Sequence, residues 1–260
     1  MIAELQPFLP ISQEILWLGF AVFIRISAMM AVIPAFGDQV VPMRIRFALS
    51  VMFTFVVAPA IAPLIGSVPQ SLFDASALLG PEFLAGLFFG ILLRFFIFAL
   101  QLAGSIAAQS TSLAQIFGGS AGVDPQPAIA HTLVVAGTAL AAAAGLHVQA
   151  ASYMIHSYRL VPFGVALHGD MVSTVGMAEV TRAFTLGFTL AAPFLIASLI
   201  YNVVLGVINR AMPQLMVSFV GAPAITAGGL LLFFLAAPIM LAIWLAAYAN
   251  FMMVPFGAVQ

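Results

Sequence analysis

The chain has no cysteine and no lysine. The first absence excludes disulfides, thiolate metal sites and cysteine nucleophiles. The second leaves seven arginines against eight acidic residues, a net charge of −1. That balance makes no strong electrostatic case for nucleic acid or anionic lipid as a partner. Charge of either sign is scarce: 6% of the 260 residues are charged, and 64% are hydrophobic with a mean hydropathy of +1.20. A soluble domain has about 25% charged residues, so this surface cannot face water. The chain reads as an integral membrane protein, or as a subunit buried in a membrane-associated assembly. No arginine precedes Arg25, so no cleaved signal peptide with its basic start is expected. What is plentiful is phenylalanine, at 24 residues, together with 21 glycines and 16 prolines. This is the profile of broken, closely packed helices, an all-α fold.

Spanning helices need roughly 20 mostly apolar residues. Six segments approach that, near 15–35, 45–65, 78–103, 128–150, 183–208 and 224–254. The most polar stretch, 151–181, reads as a surface loop with some amphipathic helix. An alternating path puts Arg44, Arg46 and Arg210 on one side, which the excess of positive charge assigns to the cytoplasm. Pro193 and Pro238 fall inside the last two segments and are read as helix breaks, because each removes a backbone donor. Both end the tetrapeptide Leu-Ala-Ala-Pro, at 190–193 and 235–238. Paired interruptions mark binding sites in some transporters; chance recurrence in a chain rich in Leu and Ala is the alternative. Gly86 and Gly90 form a GxxxG that allows close helix approach.

Arg25 and Arg94 lie within apolar segments, where a guanidinium at the bilayer centre costs roughly 2.5–3.5 kcal/mol on insertion scales. Glu82 follows Pro81 and is expected near a helix start, where the dipole favours a carboxylate. These groups could build an ion or proton path, or each could pair with protein groups inside an assembly. A relay wants several acidic groups in mid-helix, and here nearly all lie at segment ends or in loops, which favours pairing. The histidines at 131, 147, 156 and 168 lack the i,i+3 or i,i+4 spacing of a helical metal site. No P-loop, Gly-x-Ser-x-Gly or HExxH is present. Neither an enzyme nor a bound cofactor is expected.

The segment 104–127 stands out. It carries one charge, Asp124, among small polar residues, and Gly118, Gly119 and Gly122 follow the bulky pair Ile116 and Phe117. Weakly polar, irregular backbone at a membrane is tolerated where protein or a water-filled cavity surrounds it. The segment reads equally as a pore lining or plug and as a buried connector.

Assembled in order, these residues resemble a known family. Arg25-Ile-Ser, Ile33-Pro34-Ala-Phe36-Gly37 and Val41-Pro42-Met-Arg44-Ile-Arg46 open the pattern. Pro81-Glu82, Gly86, Gly90, Gln101 and Gly104 continue it, followed by Asp124-Pro125, Gly145-Leu-His147, Ser157 and Pro162-Phe-Gly164. The most specific piece is Asn209-Arg210-Ala-Met-Pro213-Gln214 with Phe219-Val-Gly221-Ala-Pro223. The chain resembles the FliR/SctT family of type III secretion export-gate subunits over nearly its whole length. One departure is that Gln109 precedes Ser110 and Thr111, where the family often has Gln-Met-Gly.

The resemblance implies an all-α protein of helical hairpins, packed in a closed hetero-oligomeric gate in the bacterial inner membrane at the flagellar basal body. The implied partners are FliP-type and FliQ-type subunits, an FlhB-type subunit, membrane lipid and unfolded protein substrates. Residues 1–182 correspond to a FliP-like part and 183–260 to a FliQ-like hairpin. Residues 110–123 become a pore plug, with Leu113, Gln115, Ile116 and Phe117 supplying the seal and Gly118 and Gly119 the freedom to swing aside. Arg25, Glu82, Arg94, Arg210 and Gln214 become buried polar or assembly residues. A flagellar gate subunit is the leading expectation; an injectisome subunit and a small-solute secondary transporter are the alternatives.

Overall fold

The computed structural model describes residues 8–38, 41–65, 69, 71–111, 128–212 and 217–255. Among the described residues there are helices and no strands. They are α1 (Phe8–Met30), α2 (Met43–Ile61) with a 3-10 turn (Ala62–Leu64), α3 (Leu72–Ser110), α4 (Ala128–Ala143), α5 (Leu146–Leu160), α6 (Gly169–Ala211) and α7 (Val217–Met253). Five are long and apolar enough to cross a membrane, and α4 with α5 would make a sixth as a broken span. The all-α membrane fold read from the sequence is therefore present.

The boundaries differ from the apolar segments for identifiable reasons. α3 starts at Leu72 because Ser71 caps it: the Asp74 N–H donates to Ser71 Oγ at 3.1 Å, and that hydroxyl donates to Asp74 Oδ2 at 2.7 Å. A serine cap of this kind begins a helix with polar residues that a hydropathy reading discards. The segment 128–150 is not one helix. It breaks at Ala144–Gly145, where Gly145 takes a φ of +83° that an L side chain rarely adopts.

The stretch 151–181 is mostly helix, so its amphipathic-helix reading holds and its surface-loop reading does not. It completes α5, turns at 161–168 and forms the first turns of α6, and Tyr153, Met154, Ser157, Tyr158 and Val161 are buried. Its polar residues mislead because they share the helix with this apolar face. Pro193 and Pro238 do not end their helices, since each lies inside a continuous α6 or α7. Membrane helices tolerate such prolines where neighbouring groups satisfy the freed backbone.

The helices sort into two compact units, each with its own core. One comprises Met1–Arg94, Ala142–Glu179 and Tyr248–Gln260; the other comprises Phe95–Ala141 and Val180–Ala247. In the first, Ala21, Val22, Arg25, Ile26, Met29 and Met30 of α1 are buried. Their spacing of three and four puts them on one helix face. That face meets α3 at the GxxxG. A Cβ on Gly86 would collide with the Arg25 carbonyl, and one on Gly90 would come within 3.1 Å of the Met29 carbonyl oxygen. The small residues thus set the α1–α3 separation, as the spacing predicts. Tyr153 of α5 seals the same core, its hydroxyl donating to the Phe89 carbonyl at 3.0 Å.

The second unit is organised around Trp244, which is fully buried. Its indole N–H donates to the Phe96 carbonyl at 2.8 Å, so the one polar atom of a large apolar ring is satisfied. Gly137 faces this ring and Leu100, and a Cβ there would come within 2.6 Å of Leu100 Cδ1.

Candidate functional site

Two features of the described residues bear on function: a buried ion pair in the first unit, and the anchors of the long central segment in the second.

The ion pair joins Arg25 of α1 to Glu82 of α3, with both side chains at 0% exposure. Arg25 Nε donates to Glu82 Oε2 at 2.7 Å and Nη2 donates to Oε1 at 2.8 Å. This is the two-pronged geometry that a guanidinium makes and an ammonium cannot. The third edge of the guanidinium donates through Nη1 to the Val161 carbonyl at 2.9 Å. The Tyr158 ring lies 3.8 Å from the guanidinium carbon, within cation–π range. Glu82 Oε1 also accepts the Gly164 N–H at 2.9 Å. Gly164 has φ +73°, a conformation suited to glycine, and this aims its N–H at the carboxylate.

Glu82 is consequently not held by a helix dipole. It lies in the third turn of α3, well past the start at Leu72, and its charge is matched by Arg25 and one backbone donor. Each carboxylate oxygen already accepts a protein hydrogen bond in a site closed to solvent. This arrangement favours the pairing role over a proton path.

Arg94 and Asp38 form a second pair. Arg94 Nη1 is 3.3 Å from Asp38 Oδ1, with the side chains 30% and 33% exposed. Such a pair contributes within about 1 kcal/mol. Its geometric effect is larger. Asp38 Oδ2 also accepts the N–H of Ala35 at 3.1 Å, and Ala35 has a φ of +69°, which is uncommon for a residue other than glycine. The pair therefore fixes the turn that follows α1. Arg210 is exposed at the end of α6. Gln214 lies outside the described residues, as do Leu113, Gln115, Ile116, Phe117, Gly118 and Gly119.

The described ends of the central segment are pinned close together. At the leaving end, Thr111 is buried and packs its methyl group against Gly229 of α7. Its hydroxyl donates back to the Ala107 carbonyl at 2.9 Å, so the polar atom is satisfied within the helix. At the returning end, Ala130 of α4 sits directly on Gly104 of α3, where a Cβ would overlap the Ala130 Cα. Gly104 and Thr111 are seven residues apart on one helix, or roughly 10 Å along its axis. The sixteen residues 112–127 connect these anchors, and that length of chain can extend to about 50 Å. A connector would need only a fraction of it.

Beside Thr111 lies a cavity of about 370 Å³, whose lining includes Ser110, Ser198, Tyr201, Gly228 and Gly229. The sequence reading assigned no role to Asp38, Tyr158, the Val161 carbonyl or Gly229. Gly164 was visible only as part of Pro162-Phe-Gly164.

The pattern that describes bacterial export proteins, family 1, matches residues 16–251. The flagellar biosynthetic protein FliR of Caulobacter vibrioides is 31% identical, over 76% of this chain and 79% of its own length. FliR of Escherichia coli is 26% identical over 79% of each chain. FliR of Bacillus subtilis is 27% identical over 75% of this chain and 76% of its own. With a family pattern spanning both compact units and relatives matched over three quarters of their length, this chain belongs to the bacterial export protein family that contains the flagellar biosynthetic protein FliR.

Proposed function

We propose that the chain is a subunit of the flagellar type III protein export gate, in which the segment after Thr111 closes the pore through which unfolded substrates pass. The observation that carries this reading is the mismatch between the sixteen-residue segment and the roughly 10 Å between its anchors. Connections this long are uncommon in compact domains, where most run to about 4–6 residues. This one is short of charge and holds Leu113, Ile116 and Phe117, the side chains a dewetting constriction requires. Arg25 and Glu82 are structural in this account, bracing the unit that carries the first half of α3.

FliP-type and FliQ-type subunits, together with an FlhB-type subunit, are the partners in this reading, and the bacterial inner membrane is its location. The apolar window of α6 is 11% buried and that of α7 is 17%, against 56% for α3. Helices this apolar and this uncovered need lipid or protein around them. Exposed Asn202, Asn209 and Arg210 on α6 favour protein, because polar groups facing hydrocarbon are expensive. Residues 183–260, with α6 and α7 on either side of Pro213-Gln214, would form the FliQ-like hairpin, and 1–182 the FliP-like part.

Deleting residues 113–119 in the assembled gate is expected to make the membrane leaky to small ions. Conductance of vesicles containing the complex measures this. Conductance equal to that of the intact gate would remove the plug role.

A further inference from the structure

We propose that the cavity beside Thr111 is the seat of Leu113, which anchors the start of the central segment to α6 and α7 of its own chain. The cavity, of about 370 Å³, lies within the second compact unit, at the place where one of three packed helices stops. α3 and α7 run antiparallel. Phe96 meets Trp244 and Thr111 meets Gly229, and these two contacts are fifteen residues apart on each helix. α6 also packs on α3, with Gly187 against Leu102. α3 ends at Ser110, whereas α6 runs on to Ala211 and α7 begins as far back as Val217. Ala197, Ser198 and Tyr201 of α6 and Ala224, Ile225 and Gly228 of α7 therefore wall a slot on the line that α3 leaves vacant. Among the described residues, none of α4 lines it; α4 returns to α3 at Gly104 instead.

Reach, chemistry and tethering select Leu113 as the occupant. Two residues of chain span at most about 7 Å, so Leu113 stays that close to Thr111, itself a wall residue, whatever its backbone does. On α7 the same distance covers about five residues, which is the stretch from Gly229 back to Ala224 that lines the slot. Ile116 and Phe117 can travel beyond it. The near wall presents carbon, because the Ser110 and Thr111 hydroxyls donate to the Ile106 and Ala107 carbonyls of their own helix at 2.7 and 2.9 Å. Across the slot, Ser198 Oγ accepts from Asn202 Nδ2 at 3.3 Å. Leu113 is the first large apolar residue after Thr111. An apolar cavity of about 150 Å³ holds a benzene molecule, so this one has room for a leucine side chain. On so short a tether the side chain is present at an effective concentration in the millimolar range, which a lipid tail or a partner's side chain must displace. Ile116 and Phe117 remain for whatever the segment meets further on, so the seat is independent of the plug role.

Labelling of single cysteines with a water-soluble maleimide tests this in the full-length protein, first purified alone in detergent and then in the assembled gate. No native thiol interferes. In the protein alone, Leu113→Cys is expected to react about tenfold more slowly than Phe117→Cys, because thiol reactivity follows exposure. A Cβ on Gly228 meets nothing within 4 Å, so Gly228→Leu should fill the slot without a clash. It should raise the Leu113→Cys rate to that of Phe117→Cys. The pair Leu113→Cys, Gly228→Cys should close a disulfide on oxidation, since the seat brings these residues to the Cα separation of about 4.4–6.8 Å that the bond needs. Equal labelling at 113 and 117, or protection at 113 that Gly228→Leu leaves unchanged, overturns the proposal. So does protection at 113 that appears only in the assembled gate, since a partner subunit then covers the residue.

Discussion

Arg25→Ala is expected to destabilise the protein by about 3–5 kcal/mol, because it strands a buried carboxylate. Total stability of a folded domain is only about 5–15 kcal/mol, so the variant should lose most of its folded yield. The loss has several parts. Glu82 is left at zero exposure without its guanidinium partner, still accepting the Gly164 N–H. The Val161 carbonyl loses the guanidinium donor, and the Tyr158 ring loses its cation. Arg25→Lys should recover little, since an ammonium cannot meet two carboxylate oxygens and the Val161 carbonyl in the same planar arrangement. The double variant Arg25→Met, Glu82→Leu should be much closer to wild type, because removing both charges removes both desolvation costs. Thermal unfolding of the detergent-purified protein measures all three. A single substitution no worse than the double one would show that the pair is not what holds α1 to α3.

Gly86→Ala is expected to cost roughly 1–3 kcal/mol as an overpacking change, and Gly86→Leu more. The methyl group has nowhere to go: a Cβ at Gly86 would collide with the Arg25 backbone carbonyl and approach Ala28 Cβ to 2.8 Å. The obstacle is backbone, so α1 itself must move away from α3. Gly86 is one turn beyond Glu82 on the same helix, so that movement also opens the ion pair. The two changes should therefore couple. In the Arg25→Met, Glu82→Leu background, Gly86→Ala should cost less than in wild type, by about 0.5–3 kcal/mol, the usual range for contacting residues. Additive effects in a double-mutant cycle would mean that the glycine contact and the ion pair act independently.

These two expectations also mark how much the sequence disclosed. The all-α membrane fold was legible, because apolar segments of spanning length cannot do much else in a chain this poor in charge. The GxxxG disclosed a close helix approach, since only a missing side chain lets two helix backbones touch, but not that α1 is the partner. The pairing of Arg25 was legible as a need, since a guanidinium within an apolar segment demands a partner. The partner was not legible, because Glu82 is 57 residues away and Pro81 suggested a helix start.

The capped beginning of α3 at Ser71 displaced that start and moved Glu82 into mid-helix. The stretch 151–181 was read in part as a loop because its His, Arg and Asp residues hid the buried face of Tyr153, Met154, Ser157 and Tyr158. Pro193 and Pro238 looked like breaks, whereas the actual interruption came at Gly145. There a positive φ ends one helix and begins the next without a proline. For the central segment, its composition was visible and its anchoring was not. Gly104 against Ala130 and Thr111 against Gly229 are contacts between residues that no local pattern links.

A plug must place the segment leaving Thr111 in the export path. The absence of native cysteine gives a clean background for the most direct test. Single cysteines at Leu113, Ile116 and Phe117, in gates assembled around a substrate stalled in transit, are cross-linked and scored for attachment to that substrate. The account predicts attachment from Ile116 and Phe117, and none from a control cysteine at Thr132 on α4. Cysteines at 113, 116 and 117 that leave a stalled substrate untouched, while the gate is demonstrably occupied, would contradict it.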